Sequence, residues 1–508
     1  MRSGLVLFLS RILSIATGMA FTIMITRNVP VEEYGVWRNI NSDIIIYFTL
    51  LSAIFPFWIM RFVARGHEGS AKTGVIANLL LGIISSALYI LLIPFILPLL
   101  GISMNYLPVY LLASFQIVEL YMLSAFQSVL RVVNIESLSY GLLLEEVVRV
   151  ALAYLFVMQL RMGLQGAMFA LICGLLAQTL FFLYMSRKSL KGKIEWEYVK
   201  EWTKGSLANL YNIIGQRLAT FSFILLIIIC GEVGLKARAY YGASSQIATV
   251  ITYSMYLVFA LYPRLLILKN PEDVAESFKL FFMFALPMTA GIFVLADSYL
   301  TILGKGKIDG YFVDYSVATP VLRLLAFAML ALSISQVLNS ILFGTEKIDL
   351  EARIHLKKLV KSKIFVVFTL PYVKAAITLP ALLIVLPIFR DDPLTSALYI
   401  AVLMFIAEII LLIIRCILVK KTLDFIFPWK NLLKYSFASA IMAVFLLLID
   451  HPTRISTVLL YTVIAGAIYF AILLIIDKDA RSLVKEILNE IKLEVNKTKL
   501  LRGRPIKT

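Results

Sequence analysis

Read for its alternation of apolar and polar stretches, the chain breaks into fourteen apolar windows, each long enough to cross a hydrocarbon layer about 30 Å thick as an α-helix. The first six cover residues 5–26, 41–60, 74–100, 107–129, 138–159 and 163–185. Six more cover 206–230, 241–267, 278–303, 317–343, 364–389 and 394–418, and a final pair covers 432–450 and 455–476. The pattern predicts an all-α polytopic membrane protein of about fourteen transmembrane helices. Inside the first window Arg11, Ser14, Gly18 and Thr22 recur at helical spacing, so one face of that helix is polar while the rest suits lipid or apolar neighbours.

Composition agrees. The 508 residues are 61% hydrophobic and 16% charged, where a soluble domain carries nearer a quarter charged. Residues 5–26 are too long for the core of a signal peptide and are interrupted by Arg11, so they read as a retained helix. Cys173, Cys230 and Cys416 lie in apolar windows without metal-like spacing, and His67, His355 and His451 are scattered. Neither a disulfide framework, a metal site nor a cofactor is expected.

The net charge of +17 matters through its placement. With the N-terminus inside the cell, 34 Lys and Arg fall on the cytoplasmic side and 9 on the outer side, among them Arg27, Arg38, Lys236 and Arg238. One missed helix would swap every later loop, so the bias predicts an even helix count with both termini cytoplasmic. It also accounts for the basic charge without nucleic acid as a partner. Arg264, Lys279, Arg415 and Lys434, each within a few residues of the inner end of a window, count as cytoplasmic, and the remaining five cations, Arg11, Arg149, Arg217, Arg323 and Lys374, lie well inside windows, where a charge is costly and usually functional.

Internal repeats organise the rest. Tyr34-Gly35 and Tyr241-Gly242 are offset by 207 residues, Arg11 and Arg217 by 206, and Leu99-Leu100-Gly101 and Ile302-Leu303-Gly304 by 203. Two pseudo-symmetric six-helix lobes of like orientation follow, enclosing a central cavity. The expected units are an N-lobe at 1–204, a C-lobe at 205–425, helices 13 and 14 at 426–476, and a basic amphipathic tail at 477–508.

Arg11 and Arg217 occupy matching places in the two lobes. Arg217 shares its helix with Asn209, Asn212, Gln216 and Thr220. An arginine pair lining the cavity would grip an anionic head group bidentately; alternatively each pairs with an acid such as Glu119 or Glu408 and fixes helix packing. Glu145 and Glu146 stand four and three residues before Arg149, which suits self-neutralisation, with a leftover carboxylate able to couple ion movement to transport. Glu119 with Gln116 is a cavity wall or a hydrogen-bonding seam. Lys374 shares its window with Pro371, Pro380 and Pro387, a set that frees backbone carbonyls and permits bending. Arg323 suits snorkelling near the outer end. Asp477-Lys478-Asp479 has the Asp-x-Asp form of sugar-nucleotide transferases but no nucleotide-binding domain around it, so catalysis is not expected.

The turn Pro30-Val31-Glu32-Glu33-Tyr34-Gly35 between the first two helices, together with the fourteen-helix layout, resembles the polysaccharide flippases, oligosaccharide-lipid exporters of the superfamily that also holds the multidrug and toxin extrusion (MATE) transporters. The resemblance implies a MATE-like fold, transport of a polyprenyl-linked oligosaccharide across the cell membrane, and membrane lipids with glycosyltransferases or the polymerase of the same pathway as partners. It implies a lateral opening between helices 1 and 8 and a groove for the lipid tail at helices 13 and 14. On this reading Arg11, Arg217, Lys374, Arg149, Glu119, Asn212 and Gln216 meet the substrate, and Glu145, Glu146 and Glu408 handle the coupling ion. A drug or metabolite antiporter of the same superfamily, and a membrane enzyme of polysaccharide assembly, are the alternatives. The former prefers an acidic cavity, and the latter generally has a large outer loop.

Overall fold

The computed structural model describes residues 16–258, 271–308, 311–345, 362–423, 425–482 and 485. Among them, ten helices are long and apolar enough to cross a membrane, and an eleventh candidate is a helix pair bent by 62°. In chain order, apart from the short helices Trp196–Gly205 and Ala296–Leu303, the helices are α1 (Ala16–Thr26, its described part), α2 (Val31–Phe48 and Leu50–Ala64, the bent pair), α3 (Ser70–Leu99) and α4 (Leu107–Val133). Next come α5 (Glu136–Ala153), α6 (Gly163–Ser186), α7 (207–230), α8 (232–258) and α9 (Pro271–Val294). The last five are α10 (Thr319–Thr345), α11 (Lys363–Val385), α12 (Pro393–Lys420), α13 (Trp429–Leu447) and α14 (Ile455–Ile476). Each of the fourteen windows overlaps one of them.

The windows 206–230 and 241–267 leave ten residues between α7 and α8 for a loop, whereas in the structure the helices run on from one another and the break is a single residue. Gly231 breaks the helix with a left-handed backbone (φ 56°, ψ −128°), a conformation only glycine adopts without strain. Across it the Phe223 and Tyr241 rings lie 4.8 Å apart, whereas 18 residues of straight helix would separate them by about 27 Å. The chain therefore doubles back there and brings Arg238 beside Phe223.

Packing sorts the helices by exposure. About 61% of the apolar window of α4 is buried against α3, α5, α6 and α2, while α3 is 28% and α14 17% buried, leaving Leu91, Phe95 and Leu99 of α3 outward as a lipid-facing surface. With no solvent-driven hydrophobic force between helices in lipid, close contact depends on small residues. Gly82 fits under Tyr121, and Gly141 under Phe182. Helices α7, α8, α10, α11 and α12 pack together, and α9 carries α13, which in turn carries α14. Pro371 and Pro380 lie inside α11, and Pro387 lies in the short 3-10 turn Leu386–Ile388 that follows it.

Two local features depart from the sequence reading. The segment after Gly304, expected as a loop, forms a small antiparallel hairpin of β1 (Lys305–Ile308) and β2 (Tyr311–Asp314), too short to leave a strand signature in the pattern. At the opposite end, the Asp-Lys-Asp motif fastens α13 and α14 to α9. Buried Asp477 accepts hydrogen bonds from Lys434 Nζ (2.8 Å), Tyr435 and Asn431, and Asp479 pairs with Lys279 (2.7 Å). The hydrogen bond from Lys279 holds the Asp479 carboxyl below the usual aspartate range.

Candidate functional site

The first six helices meet the later ones along a seam, and its two ends differ. At the end carrying the β-hairpin, α2 runs against α8 with backbones in contact: a Cβ on Gly35 would lie 2.1 Å from the Leu235 carbonyl oxygen, and one on Gly242 would lie 2.8 Å from Arg38 Cγ. The two repeated Tyr-Gly pairs thus supply the two close approaches. Thr26 Oγ1 donates to the Leu303 carbonyl (2.7 Å), Arg27 Nε to the Ile302 carbonyl (2.9 Å), Lys236 pairs with Glu32 (2.6 Å), and the Tyr34 ring meets Tyr315 edge-on.

Beneath these contacts lies a buried ion pair that joins the two sides. Arg238 donates from Nε to Asp43 Oδ2 (2.7 Å) and from Nη2 to Asp43 Oδ1 (2.8 Å), the two side chains being 2% and 1% exposed. Helix α2 widens to a π-helical turn over Asn39–Ile44, a feature frequent at functional sites, and Asp43 sits within it. The Phe223 ring lies 4.2 Å from the Arg238 guanidinium carbon. Half-buried Arg38, whose side chain lies against Gly242, stands in the same cluster with Tyr34 and Tyr241, so the cluster holds two guanidinium groups and one carboxylate. Arg38 Nε and Arg238 Nη1 are buried without a hydrogen-bond partner.

Towards the other end no ion pair crosses the seam among the described residues, although a Cβ on Gly205 would lie 2.1 Å from the Trp58 ring, and hydrogen bonds make the link. Tyr47 of α2 donates to the Arg217 carbonyl (3.0 Å), Asn209 Nδ2 to the Ala53 carbonyl (3.1 Å), and Ser206 Oγ to the Ile54 carbonyl (2.9 Å). Arg217 is half-buried beside this seam, and its Nε is buried with no hydrogen-bond partner. One turn away, Asn212 Oδ1 accepts from exposed Gln216 (3.4 Å), so polar side chains accompany Arg217 on α7. Arg11, its predicted counterpart, lies outside the described residues.

The other candidates are distributed as follows. Arg149 pairs with Glu145 (3.0 Å) and with Glu146, stacks over Phe21 at 4.9 Å, and faces Gly174 of α6; Thr17 of α1 also donates to Glu146 (2.8 Å). Lys374 of α11 reaches Glu408 of α12 (3.4 Å), which also pairs with Arg415 (3.1 Å); Arg415 in turn donates to Asn339 of α10 (3.1 Å). Arg149 and Lys374 thus have carboxylate partners, as do the three expected coupling acids have cationic ones. Glu119 is different. It is 7% exposed inside the first six helices, with the Cys173 thiol of α6 nearby, and its Oε2 has no hydrogen-bond partner; no cation among the described residues pairs with it. Arg217 and Glu119 therefore stand apart from the paired groups. Arg323 donates to the Phe293 carbonyl (3.1 Å).

Sequence reasoning missed the ion pair because it assigned Arg38 and Arg238 to outer loops. Both belong to helices at the seam, and Arg415, counted on the cytoplasmic side, is buried in α12. A signal existed: Asp43 is the one acid in the window 41–60, and such a residue calls for a cation.

A separate apolar cavity of about 340 Å³ opens among α1, α8, α9, α13 and α14, lined by Met19, Ile247, Met288, Met442, Gly466 and Tyr469 among others.

No protein-family profile matches the sequence, and no curated protein matches it. Solved structures do. The lipid II flippase MurJ in an inward closed conformation aligns at a TM-score of 0.62 and 15% identity, over 94% of this chain and 100% of that one. An inward-facing MATE family multidrug resistance transporter of the MOP superfamily aligns at 0.60 and 14%, over 80% and 95%. An outward-facing conformation of a MATE family transporter aligns at 0.53 and 14%, over 83% and 95%. The chain has the polytopic all-α fold shared by MATE transporters and MurJ.

Proposed function

We propose that this protein is a flippase that carries a polyprenyl-phosphate- or pyrophosphate-linked oligosaccharide from the inner to the outer leaflet of the cell membrane, with both termini cytoplasmic. The obstacle is the polar head, which cannot cross hydrocarbon without partners, while the lipid tail can remain in the bilayer. Arg217 carries the reading: a guanidinium beside the seam, with Nε buried and unpartnered and with Asn212 and Gln216 on the same helix, suits phosphate oxygens and repels cationic drugs. Arg11 completes the pair by sequence position. The apolar cavity bordered by α1, α13 and α14 supports a place for the tail. Alternating access is supported by an asymmetric seam, held by ion pairs at the hairpin end and by hydrogen bonds at the other.

For coupling, Glu119 can take up a proton without breaking an ion pair, whereas protonating Glu145, Glu146 or Glu408 costs the interaction with Arg149, Lys374 or Arg415. We assign the coupling group to Glu119 first and keep the other three as its alternatives. Partners of the same reading are the glycosyltransferases that build the substrate and the polymerase that consumes it.

The test is replacement of Arg217, and of Arg11, by Ala at matched expression. Each variant should insert normally, since removing a membrane arginine relieves a burial cost of about 3 kcal/mol, while glycan lipid accumulates on the inner leaflet. Lys should restore export in part, because it cannot form a bidentate pair with phosphate. Normal export by the double Ala variant would refute the anionic-substrate reading and favour an antiporter for drugs or metabolites.

A further inference from the structure

We propose that Arg38 and Arg238 form a second anion site, specific for the phosphate or pyrophosphate group of the cargo, which Asp43 occupies as an internal counterion while the hairpin end of the seam is closed. The proposal rests on the flippase reading and extends it to how that end opens. Three observations carry it. The Asp43–Arg238 pair is bidentate, buried and bridges α2 and α8, so it closes the seam only while Asp43 holds the guanidinium. The cluster has two cations for one carboxylate, and Arg38 Nε and Arg238 Nη1 are buried donors with no acceptor. Asp43 lies in a π-helical turn, a local departure from α-helical geometry of the kind frequent at functional sites.

A buried cluster with surplus positive charge and unsatisfied N–H groups favours an incoming acceptor that carries more charge than a single carboxylate. Phosphate oxygens match the geometry of guanidinium groups as a carboxylate does, and a pyrophosphate brings enough oxygens for both arginines at once. When it displaces Asp43, the link between α2 and α8 is lost and the remaining contacts, Glu32 with Lys236 and the Thr26 and Arg27 bonds to backbone carbonyls, are left to hold the end closed. Cargo arrival and opening are then one event. An empty carrier stays shut.

The experiment uses the full chain in lipid nanodiscs, with Cys173, Cys230 and Cys416 replaced and cysteines placed at Glu32 and Lys236, whose side chains meet at the rim. Disulfide yield reports closure. Inorganic pyrophosphate and, separately, a polyprenyl pyrophosphate are the probes, with chloride at equal ionic strength as control. The yield should fall with the polyprenyl pyrophosphate; if it also falls with the free ion, phosphate charge alone is sufficient. Arg38→Gln leaves the Asp43–Arg238 pair whole and should remain cross-linked with neither probe having an effect. Asp43→Asn should lower the yield without any probe, shifting the closed-to-open ratio on the order of tenfold or more.

A wild-type yield insensitive to both probes, or an Arg38→Gln variant that responds as wild type does, would overturn the proposal. Should Asp43→Asn fail to fold, the Arg38→Gln arm decides. Glycan export measured in cells separates the two readings: normal export with an unresponsive seam removes this anion site and keeps the flippase, whereas a responsive seam without export of lipid-linked glycan keeps the site and removes that cargo.

Discussion

The buried pair between Asp43 and Arg238 makes a quantitative prediction that does not depend on the cargo. Its charge centres lie roughly 4 Å apart, which at an effective dielectric of about 20 is worth on the order of 4 kcal/mol. Desolvating two side chains that are 1% and 2% exposed consumes much of that, so the pair as a whole contributes little net stability. Removing one partner is another matter. Asp43→Asn leaves the Arg238 charge buried beside Arg38 with no compensating carboxylate, and Arg238→Gln takes from Asp43 both of the hydrogen bonds that hold it; each should cost about 3–5 kcal/mol. The double variant Asp43→Asn, Arg238→Gln replaces the charges with two amides able to hydrogen-bond each other and should return to within about 1 kcal/mol of wild type. The cycle is read from denaturant unfolding of the purified chain in detergent, followed by tryptophan fluorescence. Single substitutions that each cost under about 1 kcal/mol and add in the double variant would show that water reaches the pair and that it does not clamp α2 to α8.

Three further outcomes are expected. Glu119→Gln should leave folding intact and abolish the dependence of glycan export on external pH, measured in cells at matched expression; retention of that dependence would move coupling to one of the paired acids. Replacing Pro371, Pro380 and Pro387 by Ala should slow export while leaving binding of a polyprenyl pyrophosphate unchanged, because prolines in and just after α11 interrupt its hydrogen bonding, permit it to bend and contribute no charge; an unchanged rate would mean that α11 does not bend during transport. A single cysteine at Lys357 should be blind to an impermeant thiol reagent applied to intact cells, and labelling from outside would overturn the charge-derived orientation.

Hydropathy alone determined much of this protein. Fourteen apolar windows each overlap a helix because, in lipid, a run of about twenty apolar residues has no other way to satisfy its backbone. The Tyr-Gly repeat was likewise legible, since a glycine beside a helix contact leaves a one-letter mark. The windows could not say which face of each helix met which neighbour, and so Arg38 and Arg238 looked like loop cations and Arg415 like a cytoplasmic one. Only the fold of α7 onto α8 at Gly231 brings Arg238 to Asp43, from 195 residues away along the chain. Pairing was also out of reach. Arg149, Lys374 and Arg217 are alike in sequence as cations in apolar windows, yet Arg149 is held by two carboxylates and Lys374 by one, while Arg217 Nε has no hydrogen-bond partner. Glu119 and Glu145 differ in the same way. A charge in a membrane is conspicuous in sequence, but whether it is neutralised depends on contacts of a few ångströms between helices distant in the chain, and those are set by tertiary packing.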